Sequence, residues 1–454
     1  MTAFVEQLRN ATVNADPTTV EVIVVGLGLA GLTAAIECHR KGHSVIVLER
    51  NDKVCRTNGD GIGISPNAAR VIRQWGDVDE RLQAFVSNAT EMNIYSPDDE
   101  LLLGNPMDCF AAGSGYLIHR GTLIFVLYEY ARSIGIDIRL SSSVSEYWET
   151  DEEAGVVVNG TRIAADCVIC AEGIRSRGRE MIMGQRQFVE EPKSAFAAFR
   201  GYLRMEELRK DPETRWFVDE AEAKDFFQVW AANGTHFSFF TAEGGEVVVW
   251  YAARKTSSLT EPDLDRHSPP KIETALRWME NWPIRDKLQP VVQKADHGFF
   301  IQTRHASQRP LKTWRSPLGR MMVTGDAAHP TPSASAQSGS QAVEDGAVLA
   351  IVLELAGKDD VPMALQVTER IRYNRASTVQ FWGGVIQDTL FKKPECPPEG
   401  RPDWLWDHDC QEYTYQEYET VVDAIRRGQE YVPKNCPSPS ESKGAMPERQ
   451  LGKL

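Results

Sequence analysis

Positive charge is in deficit in this sequence. Its 454 residues carry 50 Lys and Arg against 64 Asp and Glu, a formal net charge of −14 at pH 7. The basic residues are scattered, with no stripe or cluster, so the electrostatic footprint of a nucleic-acid or anionic-lipid binder is excluded. Long apolar runs are missing as well, and none approaches the roughly 20 residues that span a bilayer. The opening stretch, MTAFVEQLRNATVNADPTTV, lacks the apolar segment of a secretory signal. The expectation is therefore an intracellular, cytoplasmic protein without a membrane span. Cysteine is sparse and spread out, eight in all, with no disulfide framework, as suits a reducing compartment. Cys167 and Cys170 form a C-x-x-C, but they lie in the apolar run DCVICAEG and no second pair follows at zinc spacing. Core packing is expected there, and no metal site is assigned.

What is present is ordinary globular composition, 42% hydrophobic and 25% charged, with length for about three domains or two with a discontinuous boundary. VEVIVVG, from Val20 to Gly26, is the continuous β-branched run of a buried parallel strand. LAGLTAAIECHRKG is helical and SVIVLER is a second strand, which together make a βαβ unit. HRGTLIFVLYEYARSIG reads as a helix, and GVVVNGTRIAADCVICAEG as strands around an Asn159-Gly160 hairpin. From about Ser194 to Phe300 the texture turns aromatic and strand-like, with turns at Asn233-Gly234 and Gly244-Gly245, and an antiparallel sheet is expected. DWLWDHDCQEYTYQEYETVVDAIRRG reads as one packed helix. The resulting division is a discontinuous α/β domain (18–75, 110–190 and 300–360) and a β-sheet domain (76–109 and 191–299). A helical region (361–436) and a polar, disordered tail (437–454) complete it.

Gly26-Leu-Gly28-Leu-Ala-Gly31 joins the first strand to its helix. The first glycine permits the tight turn, the second lets backbone approach a pyrophosphate, and the third lets helix and strand pack closely. The helix N-terminus then offers unpaired N–H groups to phosphate. Glu49 ends the second strand, where a carboxylate can accept from ribose hydroxyls. Strand, glycines, helix and terminal acid together point to a dinucleotide, and the acid disfavours a 2′-phosphate at this site.

A second element is GDAAHPTPSASAQSGSQAVEDGAVLA, where an apolar run stops at Gly325-Asp326 and small residues follow before a helix. Taken with GxGxxG and with DCVICAEGIRSRGR, it resembles the single-component (class A) flavin-dependent aromatic hydroxylases, in particular their fungal salicylate-hydroxylase-like branch. In DCVICAEGIRSRGR the matching residues are Asp166, Ala171, Gly173, Ser176 and Arg179, with Glu172 in place of the usual Asp. The resemblance covers roughly residues 20 to 385. It implies an α/β, Rossmann-type FAD domain of the para-hydroxybenzoate-hydroxylase kind, an antiparallel-sheet substrate domain and C-terminal helices. It further implies that Asp326 binds the ribityl chain and that the bare backbone around Ala336 lies against the flavin ring. Where the family has Pro and Gly-x-Gly, this chain has Ser333, Ala336 and Ser338. Arg120 matches the family's arginine at the start of the helix that faces the flavin, and GDGIGISPNAARVIRQWG resembles the loop and helix flanking it. His329 is expected to be structural.

By this resemblance NAD(P)H is a transient reductant of FAD. O2 then forms a flavin C4a-hydroperoxide, which hydroxylates or epoxidises an electron-rich aromatic ring in fungal secondary metabolism. Arg200, in AFRGYL, corresponds to an arginine beside the substrate in some relatives and is the expected catalytic residue. Phe240 falls where phenol-dearomatising relatives carry a Tyr. With Trp230, Phe239 and Trp250 on neighbouring segments, it is expected to line a large apolar pocket for a phenol or an indole. Monomer and homodimer both stay open. Two rival readings fit less well. A flavin-dependent halogenase would carry W-x-W-x-I-P, which WMENWPI at Trp278 does not match. A non-catalytic dinucleotide-fold binding protein would not need the GDAAH element.

Overall fold

The computed structural model describes residues 19–57, 59–111, 113–183, 195–256, 272–294, 299–303, 310–332, 335–392 and 403–437. The chain opens with β1 (Glu21–Val25), α1 (Leu29–Arg40) and β2 (Ser44–Leu48). There follow β3 (Gly61–Ile64), α2 (Pro66–Ile72), α3 (Val78–Gln83), β4 (Glu91–Tyr95), β5 (Leu101–Pro106), β6 (Tyr116–His119), α4 (Arg120–Ser133) and β7 (Asp137–Arg139). The run β8 (Val144–Glu149), β9 (Ala154–Val158), β10 (Thr161–Ala165), β11 (Cys167–Cys170) and α5 (Arg177–Met183) leads to β12 (Ala195–Arg204). Beyond it lie α6 (Met205–Arg209), α7 (Arg215–Ala223), β13 (Phe227–Ala232), β14 (Thr235–Ala242), β15 (Val247–Thr256), α8 (Ile272–Arg277), α9 (Arg285–Gln293) and β16 (Phe299–Thr303). The chain closes with β17 (Met321–Val323), α10 (Ser338–Ala356), α11 (Val361–Lys392), α12 (Asp403–Trp406) and α13 (Cys410–Arg426).

Four consecutive buried residues make β1 a strand covered on both faces, and it takes the centre of a parallel sheet of order β17-β11-β1-β2-β7. The C-x-x-C is part of this core, with Cys167 and Cys170 buried in β11. In α10 every residue from Gly339 to Leu353 is buried, the charged pair Glu344 and Asp345 among them. It crosses α1 so closely that a Cβ at Gly346 would stand 2.7 Å from the Ala34 nitrogen. This contact fixes the two helices that frame the end of β1.

The second sheet has seven strands in the order β16-β12-β15-β14-β13-β4-β5. The hairpin turn at Asn233 (φ 49°) and Gly234 (φ 73°) has the left-handed pair that a two-residue loop requires. The sheet is mixed rather than wholly antiparallel, because β4 runs parallel to β13. These two strands come from distant segments, so no hairpin dictates their sense. Helices α7, α8 and α9 cover one face, packing Phe217, Trp278 and Leu288 onto Phe237, Phe239 and Trp250.

The C-terminal aromatic stretch is two helices and not one. Asp409 lies between them and caps α13, its side chain accepting from the Gln411 and Glu412 amides. An acid in that geometry ends the preceding turn and starts a new helix. The tail from 438 onward lies outside the described residues. No described helix is long and apolar enough to cross a membrane.

Candidate cofactor and active site

The glycine loop is built by steric necessity. Gly26 has φ +105°, and a Cβ there would meet the Ala171 carbonyl oxygen at 2.5 Å. At Gly31 a Cβ would fall 1.9 Å from the Gly26 oxygen, so any side chain would push α1 off the loop. Gly28 is the N-cap of α1 with no side chain to satisfy the first-turn amides, which therefore remain available to an anion. Arg120, the first residue of α4, brings its Nη2 to 3.7 Å from the Cβ position of Gly28. Glu49 directly follows β2, where Oε2 accepts from the Leu27 amide at 2.9 Å and Oε1 from the Asn51 amide at 2.9 Å and Nδ2 at 2.6 Å. The acid thus fastens the glycine loop itself, and of its roughly four acceptor sites about one is left for a ribose hydroxyl.

The Gly325–Ala327 turn follows β17. Gly325 has φ +58°, and a Cβ would stand 2.7 Å from the Ala30 methyl. Asp345 of α10 holds this turn from beneath. Its Oδ2 accepts from Gly325 N at 3.0 Å and Thr324 Oγ1 at 3.1 Å and faces His329 Nε2 at 2.6 Å, while Oδ1 accepts from Arg372 Nε at 2.9 Å. His329 is buried against Trp314, with ring centroids 5.1 Å apart, so it belongs to the scaffold. Glu344 accepts from Arg372, from Arg375 at 2.8 Å and from Asn67 Nδ2 at 2.6 Å. Burial opposes the charge on both carboxyls. The arginines beside Glu344, and His329 with Arg372 beside Asp345, more than offset it and hold both well below the usual carboxylate range. Arg375 also donates to the carbonyls of Trp404 at 2.9 Å, Leu405 at 2.8 Å and Asn435 at 2.7 Å, tying the C-terminal segment to the same network.

Above this network Asp326 is exposed, with Oδ1 accepting from Ser338 Oγ at 2.5 Å. Arg179 of the second fingerprint reaches the turn too, donating to the Ala327 carbonyl at 3.3 Å. Glu172, the departure from the family's Asp, accepts from Ser176 Oγ and Gly178 N, both at 2.8 Å. Ala336 takes φ +50°, the left-handed conformation that glycine would occupy without strain. Its methyl would be 3.1 Å from a Cβ at Gly63. Ser333 lies outside the described residues.

Between the two sheets runs β3. A Cβ at Gly61 would lie 2.2 Å from Phe240 Cε1, and one at Gly63 would lie 2.5 Å from Phe110 Cζ. Two glycines on one face of a strand thus let two aromatic rings press on the backbone beside Ala336. Arg200 shares a face with Phe240, as the pairings Arg200–Tyr251, Tyr251–Ser238 and Val249–Phe240 require. Its Nη1 meets Asp60 Oδ2 at 3.0 Å, its Nε has no partner among the described residues, and the Asp60 carbonyl accepts from Arg120 N at 2.8 Å. Arg120, Asp60 and Arg200 therefore link the glycine loop to the seven-stranded sheet. His119, just before Arg120, is buried with its ring centroid 4.7 Å from that of Tyr202, and burial pushes its pKa down to about 4.

Trp230 does not join Phe240, and that expectation is corrected. It pairs with Phe237 while Phe240 pairs with Phe227, so alternation places Trp230 on the opposite, helix-covered face together with Phe239 and Trp250. Its indole donates to Asp99 Oδ1 at 2.9 Å and its ring stacks on Tyr95 at 5.3 Å. The strand segments were legible, but which face met the cleft depended on register. Sequence reasoning also passed over Asp60, Arg372 and Arg375. The last two left a signal: polar residues three apart on one face of a long helix, next to the apolar Ile371.

The family model described as "FAD binding domain" matches residues 19–379. The chain is 43% identical, over 92% of itself and 94% of the relative, to the FAD-dependent monooxygenase okaB of Penicillium ochrochloron. To the asperlicin C monooxygenase of Petromyces alliaceus it is 36% identical over 97% of each chain. The crystal structure of CtdE in complex with FAD and a substrate superposes with a TM-score of 0.83 at 37% identity, covering 90% of this chain and 100% of the other. A salicylate hydroxylase substrate complex, 20% identical with a TM-score of 0.68 over 90% of this chain and 98% of that one, shares the fold. Gly26 and Gly31, which tolerate no side chain, the uncapped first turn of α1 and the acid after β2 fit such a cofactor. The chain belongs to the FAD binding domain family and is an FAD-dependent monooxygenase.

Proposed function

We propose that this monooxygenase uses NAD(P)H and O2 to hydroxylate or epoxidise an electron-rich aromatic ring, a phenol or an indole, in fungal secondary metabolism. Gly26, Gly28 and Gly31 would hold the pyrophosphate of FAD, with Arg120 over them. Glu49 would hold the ribose, Asp326 the ribityl chain, and Ala336 would lie against the ring. FAD, when bound, supplies what side chains cannot: it accepts reducing equivalents from the transiently docked nicotinamide and activates O2.

The observation that carries the reading is the state of Arg200. One side of its guanidinium is held by Asp60 at 3.0 Å, and its Nε–H has no partner among the described residues. It shares a sheet face with Phe240, which cannot hydrogen-bond, so orienting the substrate falls to the arginine. A guanidinium stays cationic and donates in a fixed plane. Its guanidinium, on a side chain that is 22% exposed, can therefore support a phenolate, or the alkoxide left when an indole epoxide opens. Phe240 and Phe110, pressed on β3, contribute an apolar wall that excludes water from the same space.

Product formation and hydrogen peroxide release in the Arg200→Ala variant test this. Loss of a preorganised charged donor should lower the rate of product formation roughly 100- to 1000-fold. FAD content should stay normal, and NAD(P)H should still be consumed, with peroxide as the outcome. Arg200→Lys should recover little, because an ammonium lacks the planar fork. Coupled product formation within a few-fold of wild type in Arg200→Ala would sink the assignment.

A further inference from the structure

The first turn of α10 is clamped in place. A Cβ at Gly339 would lie 2.9 Å from Ile62 Cδ1, 3.1 Å from Ile64 Cδ1 and 3.1 Å from Leu29 Cδ2, so the helix starts at a fixed point between β3 and α1. Ser338 and Ala342, four residues apart, share one face of it, and that face meets the Gly325–Ala327 turn twice. A Cβ at Gly325 would stand 3.3 Å from the Ala342 methyl, and the half-buried Ser338 donates from Oγ to Asp326 Oδ1 at 2.5 Å.

The backbone of the turn is held as firmly. Asp345 Oδ2 accepts from Gly325 N at 3.0 Å, Arg179 donates to the Ala327 carbonyl at 3.3 Å, and Ala328 N and His329 N donate to the Gly325 carbonyl at 2.8 and 2.9 Å. What these contacts leave undetermined is the direction of the exposed Asp326 side chain. Its single hydrogen-bond partner among the described residues is Ser338, and Oδ2 has none there. Without that partner an exposed carboxylate on a turn exchanges between staggered positions and turns freely at its end. Position 338 is also one where this chain departs from the glycine of the resemblance, so the hydroxyl is its own.

We propose that Ser338 is a positioning residue for the cofactor: by holding Oδ1 it fixes the Asp326 carboxylate before FAD arrives and leaves Oδ2 to accept a ribityl hydroxyl. This rests on the reading of Asp326 as the ribityl acceptor and adds the group that orients it. Immobilising one free side chain at the moment of binding weakens an association by roughly 3- to 10-fold. Ser338 has already fixed this one in the folded apoprotein. Its hydroxyl makes no other hydrogen bond among the described residues, so its removal should reach FAD through Asp326 alone.

The experiment is a double-mutant cycle on the full chain, stripped of flavin and titrated with FAD by fluorescence. Wild type, Ser338→Ala, Asp326→Ala and the variant carrying both substitutions are compared, and the melting temperature of each apoprotein is recorded. Ser338→Ala should bind FAD about 3- to 10-fold more weakly and melt like wild type. In the Asp326→Ala background the same substitution should change FAD affinity by less than about twofold, because no carboxylate is left to orient. Unchanged FAD affinity in Ser338→Ala overturns the proposal. So does tighter binding, which would show the hydroxyl competing with the ribityl chain. A penalty of equal size in both backgrounds overturns it too, since that marks packing or a direct contact with the cofactor, whether or not the melting temperature falls. Failure of the underlying reading looks different: Asp326→Ala by itself would then bind FAD like wild type, and Ser338 would have no acceptor to orient.

Discussion

Replacing Asp345 by Asn exchanges one buried oxygen for an amide nitrogen, and it should loosen the turn that carries Asp326. In the native protein Oδ2 accepts from Gly325 N at 3.0 Å and Thr324 Oγ1 at 3.1 Å, and Oδ1 accepts from Arg372 Nε at 2.9 Å. An asparagine can serve only one of these sides. With its oxygen toward the turn, its amide confronts the Arg372 N–H; turned round, it confronts Gly325 N–H. A buried donor left facing a donor costs about 1–3 kcal/mol. Arg372 also loses a counter-charge, but Glu344 still pairs with it. The loss should therefore stay below the roughly 3–5 kcal/mol of a fully broken buried pair, at about 2–4 kcal/mol in all. Thermal melting of the apoprotein and FAD titration by fluorescence read the effect: a lower melting temperature and at least about tenfold weaker binding. Asp326→Ala is the comparison. Asp326 is exposed and its one hydrogen bond among the described residues comes from Ser338. Its loss should weaken FAD binding without altering apoprotein melting. An Asp345→Asn protein that melts and binds FAD like wild type would refute the argument.

Gly61→Ala should destabilise the protein by about 1–3 kcal/mol through overpacking, since the new methyl meets Phe240 at 2.2 Å. Adding Phe240→Leu should recover part of the melting temperature, and a double variant no better than the single one would mean the clash is not with that ring. Glu49→Ala removes the anchor of the Leu27 amide together with the proposed ribose acceptor, so FAD should bind about 10- to 100-fold more weakly. Unchanged FAD affinity would reject the role. Acid should unfold the protein in two stages. Burial pushes His119 and His236 from 6.5 to about 4, so their stabilisation is complete above pH 6.5 and is lost as pH falls towards 4, by at most about 3 kcal/mol each. Glu344 and Asp345 are held below their ordinary 4.5 and 3.8. What they contribute is present above those values and disappears only at lower pH. Melting temperature measured from pH 7 to 4.5 should fall, and His236→Phe should flatten the slope; an unaltered slope would exclude His236 as a source.

The parts of this protein that depend on neighbours in the chain were legible in the sequence. A β-branched run, three glycines, a helix and a terminal acid are local commitments at fixed spacing, although the contact that requires Gly26 comes from Ala171, far along the chain. The turn at Gly325 was legible as an apolar run that stops at a glycine and an acid, while the contact that requires the glycine, with Ala30 of α1, is tertiary. The sheet around Phe240 announced itself as strands, but a strand has two faces, and the pairing register alone decides which one meets the cleft. That is why Trp230 proved to be core, while Arg200 came to Asp60 across 140 residues of sequence. The break at Asp409 was hidden because an acid within an aromatic-acidic run reads as a solvated face until its oxygen meets two free amides. The buried network shows the limit most clearly. Glu344, Asp345, Arg372 and Arg375 are charges on helices, and residue type alone would put them in water. Only the crossing of α10 and α11, which removes solvent from all four at once, makes them pair with one another and hold the turn above.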